Sequence, residues 1–243
     1  MTHRTGYHPL NTLKLVAQDL WVIDGPVIKF YGLPFTTRAT VVRLRNGRLF
    51  VHSPTKLTED LVSQIARLGE VRYLIAPNWV HYAYLQEWQQ TFPDAESWVA
   101  PGVTKRAKSR GIWLEADAVL ASKQSTPWQD EMHQMVVPGS KLHREAVFFH
   151  KATRTLILTD LIQNIEGDTV PVWMRILTRV AGISAPRGGM PPDLKLTFDK
   201  AQLRPALQVL VDWAPERVIF SHGAWFQEDG TAALKRALRR LVP

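Results

Sequence analysis

Residues 71–81 read VRYLIAPNWVH, a short apolar run followed by a polar turn. The run 71–76 has the length of a buried strand, and it follows Gly69, a residue type that commonly ends helices in the left-handed conformation. The turn after the run carries Asn78 and His81, whose side chains can hydrogen-bond a substrate or hold a metal ion. This stretch therefore predicts a strand with chemically useful side chains at its carboxyl end.

The residues before this strand predict a β-hairpin followed by a helix. Two apolar runs, 41–45 and 48–52, flank the dipeptide Asn-Gly at 46–47, which accepts positive φ at both centres of a two-residue turn. Thr58 is expected to cap the helix that follows, because its hydroxyl can accept a hydrogen bond from the first turn. Together with residues 71–76, these elements form a strand–helix–strand unit.

Two later segments also place polar side chains at the ends of apolar strands. Residues 146–150 and 155–159 predict a second hairpin, whose second strand leads directly to Asp160. Residues 217–220 predict a strand that reaches His222 two residues later. Helices are expected over 172–180, 199–213 and 231–241, a turn at 24–26, and a glycine- and proline-rich surface loop at 186–193.

Three apolar strands thus lead to His81, Asp160 and His222. In layered α/β proteins the side chains at strand ends converge on one rim, where loops leave a crevice. Two imidazoles and one carboxylate form a ligand set for Zn²⁺, Mn²⁺ or Fe²⁺, with a further position open to water. The alternative is structural, with hydrogen-bonded histidines and with Asp160 capping the turn that follows it.

Composition narrows the chemistry. The chain has 243 residues, 45% of them hydrophobic, and a formal net charge of +8, which indicates a folded protein of one or two domains. It contains no cysteine, so thiolate catalysis, disulfides and cysteine-ligated zinc are excluded, and a metal must rest on carboxylates and the eight histidines. No segment approaches the roughly 20 apolar residues of a spanning helix, and the opening residues lack a signal-peptide core. We therefore expect a cytoplasmic protein without a transmembrane segment.

The order of these elements resembles a known family. The hairpin, the helix, VRYLIAPN-x-x-H, the tripeptide PGS at 138–140, FFHKATRTLILTD and RVIFSHG together resemble the metallo-β-lactamase fold over nearly the whole chain. More narrowly, they resemble a divergent group of this superfamily with a P-N-x-x-H segment. The resemblance implies an α/β (α+β) fold, an αββα sandwich of two mixed sheets flanked by helices, as a single domain over residues 1–243.

The sequence also departs from the superfamily's motifs. Asp160 matches its bridging aspartate, and His222 matches the histidine of its late G-H-G motif. However, Asn78 stands where the first histidine of H-x-H-x-D-H is expected, Ser140 replaces the histidine of P-G-H, and Thr159 replaces the glycine before the aspartate. The resemblance therefore implies a mononuclear metal site rather than a binuclear one.

Further residues receive roles around this site. His143, three residues after Ser140, is a candidate replacement ligand. Asn78 is expected to hydrogen-bond a substrate or to orient His81, and Asp160 to manage a proton as well as bind the ion. Glu145 is expected to face solvent, and His150, inside a hairpin, to be structural.

Three functional hypotheses remain open. The first is a metal-dependent hydrolase with one divalent ion, acting on an ester, amide or phosphodiester of a small-molecule substrate. The second is a catalytically inactive binding protein of the same fold, which the missing histidines favour. The third is a nucleic-acid-binding or nucleic-acid-processing protein, which the net charge of +8 favours. The basic clusters at 105–110 and 235–240 are themselves typical of a solvated surface that keeps a protein soluble.

Overall fold

The computed structural model describes residues 7–30 and 33–242. Two β-sheets form its centre. The larger sheet has the strand order β1 (Leu13–Ala17), β2 (Leu20–Phe30), β3 (Leu33–Arg43), β4 (Arg48–His52), β5 (Glu70–Ala76), β6 (Glu96–Val99) and β7 (Ala118–Val119). The smaller sheet has the order β11 (Arg217–Ile219), β10 (Thr155–Ile157), β9 (Ala146–His150) and β8 (Met132–Val136).

Seven helices are present among the described residues. Three follow strands of the larger sheet, namely α1 (Glu59–Ala66), α2 (Leu85–Thr91) and α3 (Val103–Lys108). The others belong to the second half of the chain, namely α4 (Val172–Ala181), α5 (Pro192–Leu196), α6 (Lys200–Asp212) and α7 (Gly230–Leu238). No helix of the described residues is long and apolar enough to cross a bilayer.

Among the apolar clusters of the described residues, the three largest hold the layers together. The inner core lies between the sheets, where the rings of Phe50 and Phe148, one from each sheet, both pack edge-on against Trp128. A second core joins the larger sheet to α1, α2 and α3, and a third joins the smaller sheet to α6 and α7. Full burial of a large apolar side chain contributes roughly 1.5–3 kcal/mol. The predicted αββα sandwich of two mixed sheets is confirmed.

The structure confirms the cap at Thr58, whose Oγ1 accepts a hydrogen bond from the backbone N–H of Leu61 at 3.2 Å. The hairpin before it differs in detail from the prediction. The N–H of Gly47 donates to the carbonyl of Leu44, and of the dipeptide Asn46-Gly47 only Gly47 has a positive φ, 79°. Asn46 therefore lies in an ordinary turn, which the left-handed glycine closes.

The predicted turn at 24–26 is wrong, because β2 continues through it to Phe30. The register shifts between Gly25 and Ile28, which marks a bulge in the pairing with β3. Glycine is required there by close packing, since a Cβ at Gly25 would lie 1.7 Å from Thr55 Oγ1. Asp24 is buried, and its charge is compensated by Arg38 of β3 at 2.8 Å.

The carboxyl ends of four strands meet at one rim of the sandwich. β4 and β5 run parallel in the larger sheet, and β10 and β11 run parallel in the smaller one. Because the sheets pack face to face, the loops after these strands lie side by side. All three predicted ligands lie in those loops.

Candidate metal centre

The three predicted ligands come together around one carboxylate oxygen. Oδ1 of Asp160 lies 2.9 Å from Nε2 of His222 and 3.3 Å from Nε2 of His81. The two imidazole rings are 5.4 Å apart between centroids. The structure therefore brings together side chains that are 79 and 62 residues apart along the chain.

His81 is oriented by the loops after β4 and β5. Its Nδ1 lies 2.7 Å from Oγ of Ser53, a residue in the left-handed region with φ of 55° directly after β4. Its backbone N–H donates to Oδ1 of Asn78 at 2.9 Å, and that oxygen also accepts the N–H of Val80. This Asx turn and the serine together direct Nε2 of His81 towards Asp160.

His222 follows β11 of the smaller sheet, and β3 of the larger sheet orients its ring. Its Nδ1 lies 2.8 Å from the carbonyl oxygen of Thr36, and because a carbonyl only accepts, Nδ1 carries a proton. Nε2 is thereby left to face Asp160. The following residue, Gly223, has a φ of 94°, and a Cβ there would lie 2.1 Å from the carbonyl oxygen of Asn164. The Ser-His-Gly sequence thus places the imidazole through a turn that requires glycine.

Arg38 fixes the same turn from beneath. Its guanidinium donates to the carbonyl oxygens of Phe220 and Gly223, at 2.6 and 3.1 Å, and its Nε donates to Asp24 at 2.8 Å. The buried ion pair of the larger sheet thus holds the loop that carries His222. The order of residues along the chain does not predict this role, because Arg38 lies 182 and 185 positions from its two carbonyl acceptors.

Asp160 is held as a carboxylate. Burial by itself raises its pKa, but the charges of His81 and His222 and their hydrogen bonds outweigh that effect and keep the pKa well below its usual range. The amide of Asn78 donates to Oδ2 of Asp160 at 2.6 Å and to Oγ1 of Thr159 at 3.0 Å. Asn78 is itself fully buried, and its hydrogen bond to Oδ2 positions the carboxylate.

A second group of possible ligands shares Asp160. It consists of His143, Glu145 and Asp160, whose nearest nitrogen and oxygen atoms lie within 4.8 Å of one another, as they do in the group His81, Asp160 and His222. Nε2 of His143 lies 3.0 Å from Oε2 of Glu145. The prediction that Glu145 faces solvent is wrong, because its exposed fraction is 0%. It lies next to the site.

Glu145 is buried because it organises the loop after β10. Its two carboxylate oxygens accept the backbone N–H groups of Thr159, Asp160 and Leu161 at 2.6, 3.0 and 3.0 Å. Such charge-assisted bonds satisfy donors that would otherwise be buried without partners. The sequence signal for this role is weak, because an isolated glutamate before a strand is usually exposed.

Other predicted residues lie around the site without joining it. Oγ of Ser140 accepts the backbone N–H of His143 at 2.9 Å, so the serine shapes the loop that presents this histidine. His150 lies within β9, at the other end of the smaller sheet, with Nδ1 2.8 Å from Oγ1 of Thr153. Burial lowers the pKa of His150, as expected for a structural histidine.

A cavity of about 460 Å³ opens over the site. Asp160, His222 and His143 lie in its wall, and the rest of the wall is mostly apolar, including Phe35, Ile183 and Leu194. The loop at 186–193 contributes its end to this wall, while Gly189 is fixed by two backbone hydrogen bonds with Gln163, each 2.9 Å long. The arrangement is that of a small-molecule pocket with a few polar groups at its base.

The donor atoms fit a divalent metal ion. Two imidazole nitrogens and a carboxylate oxygen point at a common region, and Ser53 and the carbonyl of Thr36 fix the ring orientations from the opposite nitrogens. Nitrogen and oxygen donors in this ratio suit Zn²⁺, and outer hydrogen bonds of this kind usually support metal-binding histidines. His81, Asp160 and His222 can therefore hold one ion.

The chain is similar to known proteins in both its sequence and its fold. Residues 18–185 match the family described as "Domain of unknown function (DUF4336)". No curated protein matches the sequence. Solved structures of metallo-β-lactamases match its fold at low sequence identity, which shows the fold alone.

Three of these structures illustrate the match. The metallo-β-lactamase from Pontibacter korlensis is 13% identical with a TM-score of 0.65, and the match covers 95% of this chain and 98% of that one. The enzyme from Hirschia baltica is 12% identical with a TM-score of 0.63, over 96% and 98% of the two chains. FIM-1 from Pseudomonas aeruginosa, in its mono-zinc form, is 13% identical with a TM-score of 0.61, over 96% of each chain.

Proposed function

The chain belongs to the DUF4336 family and has the metallo-β-lactamase fold, and from this premise we propose that it is a metal-dependent hydrolase with a single divalent ion. The observation that carries the proposal is the convergence of His81, Asp160 and His222, two of which, Asp160 and His222, line the cavity. The similar FIM-1 structure is of a mono-zinc form. One ion per chain is therefore consistent with the fold.

We assign the ion to the group that contains both strand-end histidines. In the other group, Glu145 already accepts three backbone N–H groups and pairs with His143, so a metal there would break the bonds that hold the loop after β10. His81 and His222 have their Nδ1 atoms fixed and their Nε2 atoms directed at Asp160. The first group can take an ion while every other hydrogen bond around it is kept.

A divalent ion held there supplies Lewis acidity, which polarises a carbonyl or phosphoryl centre and makes water more acidic. The protein's own residues do the rest. Asn78 keeps Asp160 in place through Oδ2, and the apolar walls of the cavity exclude water around a bound substrate. The substrate is a small molecule with an apolar portion that these walls can contact.

His143 is the residue that we assign to proton transfer. It lies in the cavity wall, and Glu145 orients its ring through Nε2, an arrangement in which a carboxylate supports an imidazole base. Its Nδ1 has no hydrogen-bond partner among residues 7–30 and 33–242. His143 can therefore accept a proton from water or return one to a leaving group.

Metal binding by the purified full chain tests the assignment. Metal-free protein is titrated with Zn²⁺, Mn²⁺ and Fe²⁺, and we expect about one ion per chain for at least one of these metals. His222→Ala removes a donor atom and Asp160→Asn replaces the carboxylate by a neutral amide, and each should lower the affinity at least ~100-fold. The matched control is His133→Ala, an exposed histidine that stacks on Phe149 and Trp213 away from the site.

Hydrolysis is then measured with chromogenic ester and phosphodiester probes on the metal-loaded protein. The proposal requires turnover that depends on the added metal and is lost in Asp160→Asn. A stoichiometry far below one ion per chain for all three metals would contradict it. That result would favour the inactive binding protein of the same fold.

A further inference from the structure

Helix α4 presents an apolar face to solvent. Of its ten residues, only Met174 and Thr178 are buried. The exposed apolar side chains, with their exposed fractions, are Val172 (64%), Trp173 (52%), Ile176 (58%), Leu177 (55%) and Val180 (83%). A contiguous apolar surface of this kind marks an interaction site, whereas single exposed residues do not.

The periodicity of the helix gathers these side chains into one stripe. At roughly 100° per residue, the five residues cover an arc of about 140°, and the buried pair lies beyond one edge of that arc. Arg175 and Arg179 lie beyond the other edge. The outer surface of α4 is therefore an apolar stripe with arginines along one side.

Arg179 also belongs to a second cavity, of about 490 Å³, beside the end of α4. Arg187 and Arg236 line it too, together with Ser184, and no acidic residue is among its lining residues. Within the described part of the chain, none of the three guanidinium groups forms an ion pair. Three unpaired arginines around one cavity form a site for an anion such as a phosphate group.

We propose that α4 and this arginine cavity dock the protein on an anionic lipid bilayer. The apolar stripe enters the boundary between headgroups and acyl chains, and Arg179, Arg187 and Arg236 bind headgroup phosphates. An interfacial helix of this type has an apolar face with tryptophan or leucine and a basic border, as α4 has. The formal net charge of +8 favours approach to a negatively charged surface.

The chemistry of the face favours a bilayer over two other partners. A nucleic acid would pair with the arginines but would leave the apolar stripe in water, because Trp173 is its only aromatic side chain. A second copy docked through the same face around a two-fold axis would bring two arginine clusters close together, and like charges repel. A bilayer satisfies both the apolar and the cationic parts.

The docking face lies beside the cavity over the candidate metal centre. Ala181 and Ile183 line that cavity, while Gly182 and Ser184 line the arginine cavity, so one short segment separates the two. Leu142 precedes the cavity-lining His143, and Leu196 lies two residues after the cavity-lining Leu194. These two leucines are 66% and 87% exposed. The apolar cavity therefore opens beside the proposed lipid surface. The docking proposal stands on α4 and the arginines alone and does not depend on metal binding.

Sedimentation with vesicles tests the proposal on the full chain. Vesicles of phosphatidylcholine alone are compared with vesicles that also contain phosphatidylglycerol, and we expect binding at least ~10-fold tighter to the anionic vesicles. The double variant Ile176→Ser/Val180→Ser should reduce that binding ~10-fold or more, as should Arg187→Gln/Arg236→Gln. All four positions carry little packing, so thermal unfolding of the variants should match the wild type.

Matched controls separate this face from general charge and hydrophobicity. Leu15→Ser removes an exposed leucine of β1, and Lys105→Gln/Arg110→Gln removes two charges near α3. Both should bind vesicles as the wild type does. Inorganic phosphate at constant ionic strength should not displace the protein, whereas displacement would show a site for free phosphate.

Four other outcomes would overturn the proposal. One is equal binding to both vesicle types, and another is an equal loss of vesicle binding in the control variants. A third is binding to a single-stranded oligonucleotide that the serine variants do not change, with no binding to vesicles. A concentration-dependent dimer that the serine variants abolish, again without vesicle binding, would assign the face to a second copy.

Discussion

Two groups of potential metal ligands meet at Asp160, and they differ in what their other side chains already bind. In the group with His81 and His222, the imidazoles are fixed through Nδ1 and direct Nε2 at the shared carboxylate. In the group with His143 and Glu145, the carboxylate is fully buried and binds three backbone N–H groups. Similar donor atoms at similar distances thus have different roles. Their hydrogen bonds to the rest of the protein show that one group is free to bind an ion and that the other stabilises a loop.

The largest expected effect concerns the structural group. Glu145→Gln replaces an oxygen acceptor by an amide donor opposite buried N–H groups, so we expect the free energy of unfolding to fall by ~3 kcal/mol or more. Urea unfolding of metal-free protein measures the change. Glu228→Gln, at an exposed position, is the control and should stay within ~0.5 kcal/mol of wild type. A loss below ~1 kcal/mol for Glu145→Gln would show that the loop after β10 does not depend on this carboxylate.

A second prediction contrasts the hydrogen-bonded histidines of the two groups with His52, a buried histidine that precedes Ser53. His52 is 1% exposed, its Nε2 has no partner among the described atoms, and burial together with the charge of His81 lowers its pKa to about 3. Folded protein keeps this ring neutral, whereas the unfolded chain protonates it below its ordinary pKa of about 6.5. Stability is therefore lost as pH falls from about 6.5 towards about 3, by up to ~1.4 kcal/mol per pH unit from this group.

Replacing the ring removes that dependence. His52→Leu should make the fall of unfolding free energy with decreasing pH shallower by up to ~1.4 kcal/mol per unit, as measured by urea unfolding at a series of pH values. His8→Gln, at an exposed position, is the matched control. An unchanged slope in His52→Leu would contradict the lowered pKa of His52 in the folded protein.

The smallest expected effect is on metal affinity and concerns His143. Because His143 pairs with Glu145 and is not one of the assigned ligands, His143→Ala should lower zinc affinity less than ~10-fold, in contrast to His222→Ala. Hydrolysis by the metal-loaded protein should fall ~100-fold, because the proton acceptor is lost. Isothermal titration gives the first quantity and single-turnover rates give the second. Equal losses of zinc affinity in the two variants would place His143 among the ligands.

Local features of the fold were predictable because they depend on neighbours in sequence. The cap at Thr58, the hairpin strands and the strands that lead to His81, Asp160 and His222 follow from spacing and turn residues within a few positions. The turn expected at 24–26 failed for a non-local reason. Gly25 serves a close approach of Thr55, and Asp24 pairs with Arg38, so residues distant in sequence overrode the turn preference.

The candidate site divides in the same way. The chain alone determined that two histidines and one aspartate closely follow apolar strands, since strand length and alternation are local properties. Only the tertiary structure decided that Ser53 and Thr36 fix their rings, that Arg38 holds the loop of His222, and that Glu145 is buried beside them. Each of these contacts joins different strands or loops, and the geometry between them is set by how the two sheets pack.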